Sequence, residues 1–407
     1  MVKSKNHTFI FPLLFASFVF LSYLNKYFGY SLLIVIIIIY CLSFFTKNQL
    51  KFLKHADAFV LHLVFALFLV FSSLYSVHKD TAIKTSLFTL AGIIPGLYFY
   101  EFGTVKLYKK IIKAFSIFSF VFSFVTVISL ILPNVYLNYI VPLLSNDLQD
   151  TAIHFFSRNT SSGLTNQTGI NAWFSVIGLA IALTDYFINK KIKSFLLIFF
   201  YFIAILFTGK RAHFLFSIIS AGIIYFKINK HKITKLLYFP LFLLIGLIIS
   251  FYFFPELILE RFIYRFMPNK EVDISANRFF LWTHALNLFF KKPLLGWGYG
   301  YFSRISENFF TIPINVHNVY IQLLCEVGLI GFLLFFISTL GIIKYSLKNL
   351  NINNYESILS VFIQIFFLLY CFTGNPLTDI FIYCVYIFFV CSFYKLEKNY
   401  GEVKCTF

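Results

Sequence analysis

The sequence predicts an all-α fold: a polytopic integral membrane protein of about twelve transmembrane helices, with a long outer loop that contains an interfacial helix. Three observations predict it. The chain of 407 residues is 59% hydrophobic and only 12% charged, with 59 Phe. Its apolar residues form nearly continuous runs long enough to cross a bilayer. Short lysine clusters punctuate those runs. A formal charge of +18 could signal nucleic-acid binding, but here the basic residues lie between apolar runs, where they set topology. Nucleic acid is excluded on that ground.

Taken in order, the apolar runs place spans at 9–24, 28–45, 58–77, 85–103, 114–133, 170–187, 195–208, 213–226, 236–254, 318–343, 357–374 and 380–394. The first follows Lys3 and Lys5 and lacks a small-residue cleavage site, so it reads as a retained span. With both termini cytoplasmic, the inner segments TKNQLKFLKHAD, TVKLYKKIIK, NKKIKS and KINKHKITK are short and lysine-rich, as the positive-inside rule requires. The whole chain reads as a single membrane domain. Cys41, Cys325, Cys371, Cys384 and Cys391 fall in apolar runs and Cys405 in the tail, so no outer loop offers a disulfide pair.

On this map all six arginines, Arg158, Arg211, Arg261, Arg265, Arg278 and Arg304, fall on the outer side, while the inner basic residues are lysines. Chance could sort six residues so. The chemical alternative is that the planar guanidinium fork, which grips phosphate oxygens bidentately, is reserved for an anionic ligand. The two long connections, 134–169 and 255–317, are also outer. The inner loops have no room for a nucleotide-binding fold and carry no GxxxxGK[ST] loop, which disfavours ATP-driven transport and cytosolic nucleotide-sugar transfer.

Four stretches can carry chemistry. TGKRAHF (208–214) interrupts a run whose preceding span, 195–208, is only about 21 Å of helix, shorter than the ~30 Å hydrocarbon core. Arg211 can therefore sit below the surface facing an anionic lipid head group, whereas Lys210 can snorkel. NRFFLWTHALNLFFKK (277–292) is too short and too charged to span. It reads as a helix lying in the outer interface, anchored by Trp282, with Arg278 beside its N-terminal amides. It could equally be an amphipathic lid resting on lipid phosphates. In KKPLLGWGYGYF (291–302), Pro293 and Gly296, Gly298 and Gly300 make a tight turn. Trp297 and Tyr299 either offer flat faces to sugar rings or belong to an interfacial aromatic belt.

The fourth stretch, INVHNVYIQLLCEVG (314–328), puts Asn318, Gln322 and Glu326 on one polar helical stripe that should face the bundle interior. His317 stands at its mouth, where an imidazole can serve as general base or merely mark the interface. Glu326, about 13.5 Å deeper along the axis, is not its orienting partner. The nine histidines show no HxxxH spacing, so no zinc set is expected.

The order of these pieces resembles the O-antigen ligase superfamily, which includes exopolysaccharide polymerases. The matching core is 195–343, including the outer loop 255–317, and SRNTSSGLTNQTGINAWF with Arg158 resembles the family's arginine–glycine stretch. The resemblance implies a metal-independent membrane glycosyltransferase without a cofactor. It would move a glycan from an undecaprenyl-pyrophosphate carrier, on the outer face, to an acceptor hydroxyl. By the same resemblance His317 is the base and Arg211 and Arg278 hold the pyrophosphate. Asn318, Gln322, Glu326 and Arg158 support them. The acceptor is lipid A-core for a ligase, the favoured reading, or a second lipid-linked glycan for a polymerase. A polysaccharide flippase remains as another class, although no repeat relates the two halves of the chain.

Overall fold

The computed structural model describes residues 7–45, 57–229, 277–310, 313–351 and 353–404. The predicted span 236–254, Arg261, Arg265 and Cys405 lie outside these residues. Among the described residues all regular structure is helical: α1 His7–Leu21, α2 Lys26–Phe45, α3 Asp57–Phe71, α4 Lys79–Ala91, α5 Ile94–Phe102, α6 Val105–Ile131, α7 Asn146–Phe156, α8 Thr168–Asn189, α9 Ile192–Phe207, α10 Arg211–Asn229, α11 Arg278–Lys291, α12 Tyr301–Phe310, α13 Val319–Lys348, α14 Tyr355–Tyr370 and α15 Ile380–Lys404.

Seven segments are long and apolar enough to cross a membrane, and Ile10–Leu21, Tyr27–Ser43, Ile192–Phe207 and Tyr355–Tyr370 are shorter apolar helices. Every predicted span other than 236–254 falls on one of these. The run at 85–103 is a pair, α4 and α5, because Gly92 ends the first helix and Pro95 sits in the opening turn of the second, where its missing N–H costs no hydrogen bond.

The chain divides into two compact units, residues 1–114 with 277–407, and residues 115–276. In the first, α15 is enclosed by its neighbours and packs on α5 and α14, while α13 packs on α3 and α11. A buried polar link ties three of these helices: His62 of α3 lies 3.0 Å from the Ser338 hydroxyl of α13 and 2.7 Å from the Tyr383 hydroxyl of α15. Both ring nitrogens are thereby engaged, which makes a histidine tolerable in an apolar interior.

In the second unit α8 packs on α9 and α10. Serine, asparagine and tyrosine side chains bind the 157–167 segment to the neighbouring helices. Asn171 donates to the Ser161 carbonyl (3.4 Å), Ser129 to Ser161 Oγ (2.6 Å) and Tyr136 to the Gly163 carbonyl (2.8 Å). Tyr136 is buried, which pushes its phenol up to about 12.

Candidate active site

The first unit builds a site around a broken helix. Asn318 caps α13 by accepting from Ile321 N (3.2 Å), so the helix begins where the polar stripe predicts. At Gly328 the backbone leaves the helical region (φ +65°, ψ −168°). The glycine turn takes up the hydrogen bonds lost at this break: Trp297 N donates to Cys325 O (3.2 Å) and Gly298 N to Glu326 O (2.7 Å). In return Leu329 N donates to Pro293 O (2.8 Å) and Ile330 N to Leu294 O (3.2 Å). The approach is close enough that a Cβ on Gly296 (φ +70°) would lie 2.5 Å from the Glu326 carbonyl.

The fully buried Glu326 carboxylate completes this join. It accepts from Gly300 N (2.9 Å) and Phe302 N (3.1 Å), at the start of α12, and from Gln322 Nε2 (3.2 Å). An anion at a helix N-terminus is favourably placed, and here its acceptors are used on backbone amides. The stripe of Asn318, Gln322 and Glu326 thus faces inward and holds the turn.

His317 lies on the turn before α13, exposed and with φ +57°, a left-handed conformation uncommon outside glycine. Its backbone is braced by α11, whose Trp282 Nε1 donates to the Val316 carbonyl (3.1 Å). Val316 itself is buried in a cluster with Leu281, Ala285, Phe302 and Cys325. A third element meets the turn, for Val319 N donates to the Cys371 carbonyl (2.8 Å) and the Asn375 amide stands 3.4 Å from His317 Nδ1. This last element, the connection between α14 and α15, was not singled out from sequence, although the polar run TGNPLTD between two apolar spans was a signal for it.

Arg278 opens α11, half-buried, and its electrostatic neighbour is Tyr370 at the end of α14. Burial draws its guanidinium down from the ordinary arginine value, and Tyr370 opposes that shift. The buried face of α11 carries Leu281 and Ala285.

The aromatic residues of the glycine turn require a correction. Tyr299 is 1% exposed, with its hydroxyl against Thr89 Oγ1 (3.4 Å), and its ring is enclosed rather than offered to a sugar. Trp297 donates through Nε1 to Leu288 O (2.8 Å), Lys292 lies 4.0 Å over its ring, and Tyr301 stacks on it at 5.2 Å. Both side chains are occupied in fixing the turn, because three glycines with positive φ need side-chain packing to hold one conformation.

Within the second unit, Arg211 is the first residue of α10 and Arg158 is exposed in the turn after α7. Their segments meet where Ser161 N donates to Phe207 O (3.0 Å), just before the Thr208–Gly209 turn that leads into Arg211. The structure therefore joins the arginine–glycine stretch to TGKRAHF, as it joins His317, Arg278 and the polar stripe within the first unit. Arg304 is paired with Glu307 on α12.

Residues 195–336 match the family model described as O-antigen ligase. No curated protein matches the chain. The matched segment holds Arg211, Arg278, the glycine turn, His317 and the stripe to Glu326, so it is this part of the helical membrane protein that is similar to the O-antigen ligase family.

Proposed function

We propose that the protein is a glycosyltransferase of the bacterial inner membrane that transfers a glycan from undecaprenyl pyrophosphate to an acceptor hydroxyl on the outer face. The favoured type is ligase, with lipid A-core as acceptor; the polymerase, which joins two lipid-linked glycans, is the alternative within the superfamily. The observation that carries the reading is the exposed His317, held in a left-handed turn by Trp282 and the α14–α15 connection within a segment that matches O-antigen ligase.

In this mechanism His317 removes the acceptor proton as the oxygen attacks the anomeric carbon. The bond to pyrophosphate breaks and its electrons leave with the phosphate. Arg211 and Arg278 offset the charge that develops there, which removes the need for a metal. Direct displacement inverts the anomeric centre, and product NMR showing retention would refute it.

The test is transfer by His317→Ala in cells, with the carrier-linked glycan followed to the outer face. Loss of transfer while the glycan still reaches that face supports the enzyme; a glycan trapped inside supports a flippase. In a deletion strain, lipopolysaccharide lacking all polymer identifies a ligase, and a single capped repeat identifies a polymerase.

A further inference from the structure

The connection between α14 and α15 is fixed at both ends. Cys371 O is bonded to the first turn of α13. Asp379 accepts from Phe381 N (3.0 Å) and Ile382 N (3.2 Å) at the start of α15 and takes the Tyr23 hydroxyl on its two oxygens at 2.6 and 2.8 Å. Between these ends the Asn375 carbonyl accepts from Thr378 Oγ1 at 3.0 Å. The Asn375 side chain is thus presented to His317 from a pinned backbone, with its amide nitrogen 3.4 Å from Nδ1 and its Oδ1 buried without a hydrogen-bond partner among the described residues.

A neutral imidazole carries one N–H and one lone pair, so whatever faces Nδ1 decides the character of Nε2. An amide nitrogen facing Nδ1 requires the lone pair there and puts the proton on Nε2, which then cannot accept another. An amide oxygen facing Nδ1 requires Nδ1–H and leaves Nε2 basic. The two ends of a primary amide have the same shape, and a half-turn about Cβ–Cγ exchanges them. One end is buried in either orientation, so burial does not choose; the chemistry does.

We propose that Asn375 is the positioning residue of His317: its side-chain oxygen accepts Nδ1–H and so leaves Nε2 as the nitrogen that takes the acceptor's proton. The inference rests on the reading of His317 as base. The acceptor proton passes to Nε2, the acceptor oxygen bonds the anomeric carbon, and the electron pair of the broken bond leaves with pyrophosphate. The amide oxygen stays on Nδ1–H throughout and supports the imidazolium.

The experiment uses the full chain in lipid bilayers with ring-15N histidine and a carrier-linked glycan donor. The difference between wild-type and His317→Gln spectra isolates the His317 nitrogens, and a protonated Nδ1 with a bare Nε2 is expected. Asn375→Leu removes that preference and lowers kcat about 10- to 100-fold, with KM for donor and acceptor little changed. Asn375→Asp restores kcat, because a carboxylate can only accept from Nδ1–H. A proton on Nε2 in the wild type, or an Asn375→Asp variant as impaired as Asn375→Leu, overturns the proposal. If Asn375→Leu retains full kcat while His317→Ala is inactive, the role of Asn375 fails and the base stands. Full transfer by His317→Ala overturns the base assignment itself, and this proposal with it.

Discussion

At the scale of single residues, His317 and Arg278 differ in what their replacement should do. His317→Ala lowers kcat by about 100-fold or more, the usual loss for a general base, and leaves thermal unfolding nearly unchanged because the side chain is exposed. Arg278→Lys keeps the charge but not the bidentate fork, so kcat/KM for the lipid-linked donor should fall almost as far as in Arg278→Ala. Donor-concentration kinetics separate this from a simple loss of charge. Arg211 stood out in the sequence because it interrupts an apolar run where a polar group is costly, whereas Arg278 and His317, in the outer loop, were singled out by their place in the family order. Asn375 was not legible, since its role depends on a contact with a residue 58 positions away that no local pattern encodes. The sugar-facing reading of Tyr299 failed for a related reason: an aromatic residue between glycines has the same spacing whether its ring points into a cleft or into the core.

At the scale of elements, α13 and the glycine turn form one hydrogen-bonded assembly with Glu326 at its centre. Glu326→Leu would leave the buried amides of Gly300 and Phe302 without acceptors. The cost is about 2–4 kcal/mol, while Glu326→Gln, which keeps one carbonyl oxygen but turns an N–H donor toward the second amide, should lose less. Thermal unfolding of the detergent-purified protein checks the order. Gly296→Ala meets both a positive φ and the Glu326 carbonyl, and should destabilise by about 2 kcal/mol or more. The helix of residues 278–291 and the start of α13 at Val319 follow from local rules and lie within a residue of the expected 277–292 and 318; the capping role of Asn318 was not foreseen. The break at Gly328 was not foreseen either, because a glycine inside an apolar span has the same local pattern whether it lets helices pack closely or interrupts one.

At the scale of the whole molecule, the apolar runs foretold nearly all of the helices, since hydrocarbon burial leaves a continuous chain few other options. The topology makes a direct prediction about sidedness. In a chain cleared of Cys41 and Cys405, a membrane-impermeant maleimide applied to intact cells should modify Asn308→Cys and spare Lys109→Cys, both positions being exposed. The reverse pattern would overturn the orientation and, with it, an outward-facing site. Division of the chain into two units was not apparent from hydropathy, which records how deeply a residue prefers to lie and carries no information on which helices are neighbours.

The exchange of hydrogen bonds across the Gly328 break bears on how this region opens. Neither partner can unfold alone without stranding the other's amides, those of Trp297 and Gly298 on one side and Leu329 and Ile330 on the other. These four amides should therefore exchange with deuterium at a common rate, as one cooperative unit. That makes the glycine segment a fixed wall of the region around Glu326 and not a flap that lifts away from it.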